Sequence, residues 1–94
     1  MSEKINELRQ KIDEIDEKIL LLLKERFEIV KEIGREKHKH GMPLRDLERE
    51  NEKYKQIMEK ALKLKLDPKA VKEVYQKIIN MSVRVQKSAP RCKF

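Results

Sequence analysis

Five polar side chains interrupt the apolar pattern of this sequence at positions where a helix would normally bury a hydrophobic residue. They are Arg26, Lys37, Glu50, Ser82 and Gln86. A buried charge without a partner costs on the order of several kcal/mol, so packing alone does not explain two cations and an acid inside a fold. Side chains of these types can bind an anion and donate hydrogen bonds to it.

The two cations share one helix face. Arg26 occupies the slot between Leu22 and Ile29, and Lys37 projects from nearly the same face three turns later. Glu50 falls on the apolar face of a second predicted helix. We therefore expect all three charges to point inward.

Two interpretations fit this pattern. In the first, the inward polar groups form an internal salt-bridge and hydrogen-bond network that fixes the register of the helices. In the second, they line a polar pocket in a helical bundle, and the cations bind an anionic ligand. The charge balance favours the pocket, because the two cations Arg26 and Lys37 are joined by only one inward acid, Glu50.

Arg9, at the margin of the same apolar face, is a candidate third cation. It lies seventeen residues before Arg26, about 25 Å along a helix axis, so the two cannot grip one small ligand from the same helix. If long helices pair antiparallel in a dimer, Arg9 of one chain reaches the Arg26 site of the other. That geometry predicts two equivalent sites per dimer.

The first element that must position these residues is a helix over about residues 3–40. Its apolar residues recur at steps of three and four: Ile5, Leu8, Ile12, Ile15, Ile19, Leu22, Ile29 and Ile33. Ser2 is the candidate N-cap, and Gly34 permits the close approach of a neighbouring segment. Gly41-Met42-Pro43 ends the helix.

This helix is too long for one small chain to cover. At about 1.5 Å per residue it spans about 55 Å, whereas a compact chain of this length has a radius of gyration of about 12 Å. We therefore expect its apolar stripe to pack against a second copy of the chain.

Two shorter helices follow. The second is predicted over about 46–65 with Asp46 as N-cap, and the third over about 68–88 with Asp67 as N-cap and Pro68 in its first turn. The inward residues expected on them are Leu47, Tyr54, Ile57, Met58, Ala61, Leu62, Val71, Val74, Tyr75, Ile78, Ile79, Val85 and Ala89. The tail, 89–94, is expected to fray. Residues 1–94 thus read as one all-α domain in a homodimeric helical bundle.

Composition supports an all-α fold and narrows the partners. Charged residues make up 44% and aromatic residues 4%, with two glycines, which favours long helices over a sandwich or barrel. The net charge of +7 attracts anions of any kind. Its cations are dispersed among 17 acidic residues and few aromatic side chains are present to stack on bases, so we do not expect a nucleic-acid-binding protein.

The remaining composition points to a cytoplasmic protein without a metal. The single cysteine, Cys92, excludes an intramolecular disulfide and fits a reducing compartment. No apolar run approaches the length of a membrane span. His38 and His40 flank Lys39 without a third ligand nearby in the sequence, so we expect a solvated helix end there.

Three stretches, in this order and with helix breaks between them, resemble the small all-helical class of chorismate mutases. They are LRQKIDEIDEKILLLLKERFEIVKEIGREK (8–37), PLRDLERE (43–50) and SVRVQ (82–86). The resemblance covers almost the full chain. It implies three helices per chain intertwined with those of a second chain, and the Claisen rearrangement of chorismate to prephenate without a cofactor or metal.

By position, the resemblance assigns roles to the inward cations. Arg26, together with Arg9 of the partner chain, would bind the substrate carboxylates. Lys37 and Gln86 would contact the ether oxygen of the bond that breaks. Arg suits a carboxylate through its planar fork, and Lys suits developing charge as a compact point charge.

The same resemblance implies four further contacts with the substrate. Glu50, with the backbone near Asp46, would hold the substrate hydroxyl, while Arg49 and Ser82 would complete the binding shell. The helical wheel puts Arg49 away from the core face, so its assignment rests on the resemblance alone.

Two other functions are also compatible with this sequence. An isochorismate pyruvate-lyase would use a similar helical dimer and similar cations on a closely related dianion. A chain of a different class, a helical dimerisation module or basic nucleic-acid adaptor, would use the inward polar residues for helix register only.

Overall fold

The computed structural model of the chain describes residues 2–88, which form three helices and no strand. α1 is Glu3–Lys39, α2 is Leu47–Lys63 and α3 is Pro68–Ser88. The prediction of an all-α chain with one very long first helix is confirmed, and each helix end lies within two residues of its predicted position. The tail 89–94, with Ala89 and Cys92, lies outside the described residues.

The helix ends follow from local chemistry. Ser2 and Asp46 are N-caps, each in an extended backbone conformation, and their side chains accept a backbone N–H at 3.3 and 3.0 Å. Asp67 accepts one at 3.0 Å in front of Pro68. Such side chains satisfy N–H groups that have no partner within the helix. After α1, Gly41 turns the chain with a positive φ of 62°, which glycine adopts without strain.

α3 is the central helix, because it packs against both α1 and α2. The apolar side chains buried among the described residues are few: Val30, Ala61, Ile79 and Val83. Beside them the α1–α3 contact buries Gly34 and two polar side chains, Ser82 and Gln86. The core of one chain is therefore small and unusually polar where α1 meets α3.

The N-terminal half of α1 extends beyond the other helices. The described chain measures 59 × 29 × 15 Å with a radius of gyration of 17.3 Å, against about 12 Å for a compact chain of this length. Ile5, Leu8, Ile12, Ile15 and Ile19 are each about half exposed. None of the three described helices has an apolar stretch suited to crossing a lipid bilayer.

Three apolar residues that we expected to face inward do not do so. Leu47, Leu62 and Val74 are 61%, 65% and 58% exposed. The prediction that they are buried is wrong for the single chain, because α2 is covered by α3 alone and no second layer of helices lies beyond it. An apolar position in a periodic pattern identifies a face, but not whether this chain supplies the surface that covers it.

Candidate active site

One cleft, of about 290 Å³, brings together residues from all three helices and from the loop before α2. Of the eight residues predicted to form the site, seven line it: Arg26, Lys37, Asp46, Arg49, Glu50, Ser82 and Gln86. α1 supplies the first two, the N-terminus of α2 the next three, and α3 the last two. The eighth, Arg9, lies in the exposed N-terminal part of α1 and does not line the cleft of its own chain.

Lys37 and Gln86 are in direct contact at the α1–α3 boundary. The Lys37 ammonium donates to the Gln86 side-chain oxygen at 3.0 Å and to the Leu44 carbonyl at 2.7 Å. An ammonium has three N–H groups and no acceptor, so the side-chain oxygen of Gln86, not its NH₂ group, must face the ammonium. These two hydrogen bonds leave one N–H of Lys37 as a donor. The Gln86 amide NH₂ therefore points elsewhere and is able to donate.

Arg26 is anchored on α3 by Ser82. Its guanidinium donates to the Ser82 hydroxyl, and that hydroxyl in turn donates to the Ile78 carbonyl one turn earlier, at 2.9 Å. Ser82 is 5% exposed, so this chain of hydrogen bonds is shielded from water. One of the five N–H groups of Arg26 is thereby fixed, and the others remain available to an anion.

Glu50 is paired with a residue that the sequence analysis did not identify. Arg45 donates from Nε and Nη2 to the two carboxylate oxygens of Glu50, at 3.0 and 3.1 Å. The Glu50 side chain is only 12% exposed, whereas that of Arg45 is half exposed. Arg45 stands in the loop before α2, where no helical period can predict the direction of a side chain.

The N-terminus of α2 carries the remaining polar lining. Asp46 accepts the backbone N–H of Arg49 at 3.0 Å as the helix cap, so its carboxylate is partly committed to the fold. Arg49 lines the cleft from the rim, with its side chain 60% exposed and its guanidinium 4.0 Å from Glu52. Lys53, one turn further along, also lines the cleft and was not predicted.

Apolar residues complete the walls of the cleft, and none of them was among the predicted site residues. They are Val30, Ile33, Leu44 and Ile79. The lining therefore has four cations and two acids on an apolar base, and one of those acids is already neutralised by Arg45. Such a cleft suits a small anion with an apolar body.

The two histidines lie at the C-terminal end of α1, outside this cleft. His40 is exposed and its Nε2 lies 3.5 Å from a Glu36 carboxylate oxygen. Among residues 2–88, no group of three His, Cys, Asp or Glu side chains is placed to share one metal ion.

Burial and the charge of Glu50 raise the pKa of Tyr54, which lies one turn after Glu50 on α2. Both effects disfavour the negatively charged tyrosinate, and the nearby Arg45 cation opposes them. The Lys72 ammonium also lies 5.6 Å from the centre of the Tyr54 ring. Tyr54 thus reports on the Arg45–Glu50 pair beside it.

Comparison with known proteins identifies the family. The family model of chorismate mutase type II matches residues 8–87. The chain is 37% identical over 87 residues to a chorismate mutase of Methanocaldococcus jannaschii, covering 93% of this chain and 88% of that protein. It is 38% identical over 92 residues to a bifunctional chorismate mutase/prephenate dehydratase of Aquifex aeolicus, covering 90% of this chain.

A bifunctional chorismate mutase/prephenate dehydratase of Escherichia coli is 36% identical over 81 residues, covering 86% of this chain. The chain spans 24% of the Aquifex protein and 21% of the Escherichia protein. The likeness to these two proteins therefore concerns about a quarter of their length.

Removing the charge of Glu50 and removing that of Arg45 should shift the pKa of Tyr54 in opposite directions. In a Tyr75→Phe background, Glu50→Gln should lower the pKa of Tyr54, and Arg45→Gln should raise it, because each change removes a charge of known sign. Ultraviolet absorbance during an alkaline titration measures both, with Glu59→Gln, on an exposed position of α2, as the control. Shifts of the same sign in the two variants would contradict this placement of Arg45 and Glu50.

Proposed function

The chain belongs to the chorismate mutase type II family, and we propose that it rearranges chorismate to prephenate in active sites that two copies of the chain build together. The reaction is the rearrangement of chorismate to prephenate. Within one molecule the ether C–O bond breaks as a C–C bond forms, so no net proton or electron is transferred. The protein must hold a flexible dicarboxylate in a compact conformer and stabilise negative charge that develops on the ether oxygen.

The contact between Lys37 and Gln86 carries this proposal. Lys37 donates to the Leu44 carbonyl and to the Gln86 side-chain oxygen, which leaves one N–H of the ammonium and the NH₂ group of Gln86 as donors at the same boundary of the cleft. We assign these two donors to the ether oxygen. Donors fixed in advance at the place where charge develops stabilise the transition state without reorganising during the reaction.

The two substrate carboxylates would be held by arginines. Arg26 is fixed by Ser82 in the interior of the cleft, and Arg49 stands at the rim. Arg9 of the partner subunit would supply the third guanidinium. A planar guanidinium binds a carboxylate through two parallel hydrogen bonds, which restrains orientation as well as position.

Glu50 would accept a hydrogen bond from the substrate hydroxyl, together with the backbone near Asp46. Its carboxylate is held by Arg45, so it is presented in a fixed position. Val30 and Ile79 would exclude water from the apolar body of the substrate. By holding the substrate in its compact conformer, the cleft would reduce the entropy still to be lost on the way to the transition state.

The homodimer in this proposal rests on the uncovered surface of α1. Leu20, Leu21 and Leu22 are each more than 60% exposed, in addition to the half-exposed stripe that precedes them. Exposed apolar surface of this extent marks an interaction site. Antiparallel pairing of two α1 helices would cover it and would bring Arg9 to the other chain's cleft. With a single cysteine, the dimer fits the reducing cytoplasm.

The direct test is to mix purified protein with chorismate in buffer that contains a chelator, follow the loss of substrate and identify the product. Rapid formation of prephenate, abolished in Arg26→Ala, supports the proposal. A folded helical dimer that leaves chorismate unchanged and releases pyruvate from isochorismate would identify a lyase instead. A folded dimer that is inactive on both substrates would indicate that the inward charges only fix the register of the helices.

Lys37→Ala should lower kcat about a hundredfold or more, because removing a donor aimed at developing charge costs about 2.7–4 kcal/mol. Steady-state kinetics with chorismate measures the change. Lys39→Ala is the matched control, since Lys39 lies on the exposed side of the same turn and, within residues 2–88, its ammonium pairs with Glu36 alone. A Lys37→Ala enzyme with near-normal kcat would remove Lys37 from the chemistry.

Gln86→Glu should convert a pH-independent contact into one that strengthens as the pH falls. An amide donates a hydrogen bond at any working pH, whereas a carboxyl group donates only when protonated. The Lys37 ammonium at that position favours the charged carboxylate, so the gain in kcat should appear only at acidic pH. A kcat profile as flat as that of the unmodified protein would argue against contact between residue 86 and the ether oxygen.

A further inference from the structure

Gly34 lies at a close approach of α1 and α3 beside the cleft. A Cβ atom built on Gly34 would stand 3.3 Å from the Gln86 Cα, 3.3 Å from the Gln86 carbonyl oxygen and 3.4 Å from the Gln86 Cβ. Of the glycines, only Gly41 has a positive φ, so the conformational freedom of Gly34 is not what the fold uses. Its lack of a side chain is what matters.

The atoms that face Gly34 cannot move aside independently. They belong to the backbone and first side-chain carbon of Gln86, which lies within α3 and is 8% exposed. A flexible side chain could rotate away from an added methyl group, but a helix backbone must shift as a unit. Glycine in a helix interior is less stable than alanine. The close packing of α1 against α3 explains why a glycine nevertheless occupies this position.

The residue that Gly34 touches is also the one that contacts Lys37. Lys37 follows Gly34 by three residues on α1, and its ammonium meets the Gln86 oxygen at 3.0 Å. Ser82, the anchor of Arg26, lies one turn before Gln86 on the same face of α3. A displacement of α3 at Gly34 would therefore change both contacts, and the Lys37–Gln86 contact first.

We propose that Gly34 is a positioning residue for the reaction: it sets the α1–α3 separation at which the Lys37 and Gln86 donors converge. This inference rests on the proposed function. Gly34 itself touches no reacting atom and acts through the backbone of Gln86.

The expected effect is on turnover more than on binding. Misplacing a catalytic group by about 1 Å can cost about a hundredfold in rate, so a shift of a few tenths of an ångström should cost several-fold. Lys37 and Gln86 stabilise charge that exists only in the transition state, so their displacement should lower kcat and change KM little.

The test is the Gly34→Ala variant of the full chain, compared with Lys31→Ala, which changes an exposed residue of the same helix one turn earlier. We expect kcat for Gly34→Ala to fall about three- to tenfold with KM changed less than about twofold. The helix content should be unchanged, because alanine favours a helix over glycine. Lys31→Ala should leave kcat unchanged.

Two further variants separate positioning from packing. Gln86→Asn keeps the amide but withdraws it by one methylene while α3 stays in place, so it should lower kcat in the same way. In a Gln86→Ala background, Gly34→Ala should lower kcat by much less than in the unmodified chain, because the group that it positions is absent.

An unchanged kcat in Gly34→Ala, additive effects in the double variant, or loss of the folded helical state would each overturn the positioning role. An unmodified protein without mutase activity would overturn the proposed function instead, and the assay of that protein is run first.

Discussion

The Lys37 ammonium ties together three segments of the chain through two neutral oxygens, the Leu44 carbonyl at 2.7 Å and the Gln86 amide at 3.0 Å. No carboxylate among the described residues pairs with it, so its positive charge is held in place without being neutralised. The loop before α2, the end of α1 and the end of α3 all converge on this group. A half-buried cation without an acidic partner is stabilised by an anion that enters the cleft.

The second constraint is the length of α1, which makes one chain an incomplete structure. Four apolar side chains are buried among the described residues, while most of the apolar stripe of α1 is exposed. The same helix carries Arg26 and Lys37 in its C-terminal half, and Arg9 lies about 25 Å from Arg26 along the helix axis. If α1 pairs with α1 of a second copy, the pairing both covers the exposed apolar stripe and brings Arg9 to the partner's cleft. This pairing is part of the proposed function.

The sequence predicted the parts of this structure that obey a period. Steps of three and four residues located the helices, and capping residues located their ends. Polar residues in apolar slots pointed to the cleft residues Arg26, Lys37, Glu50, Ser82 and Gln86. Arg45 was missed because it stands in a loop, where no period applies. Arg49 was assigned through the family resemblance and not from its helix face. Leu47, Leu62 and Val74 were wrongly placed inside because periodicity does not say which chain covers a face.

The central claim, that each active site is shared by two chains, is tested most directly by mixing two inactive variants. Arg9→Ala and Arg26→Ala chains are each assayed alone, then unfolded together, refolded and assayed for prephenate formation. A shared site predicts that mixed dimers contain one intact site of two, so activity recovers to about a quarter of that of the unmodified protein. A folded mixture no more active than its two components would contradict a site completed by Arg9 of the partner subunit.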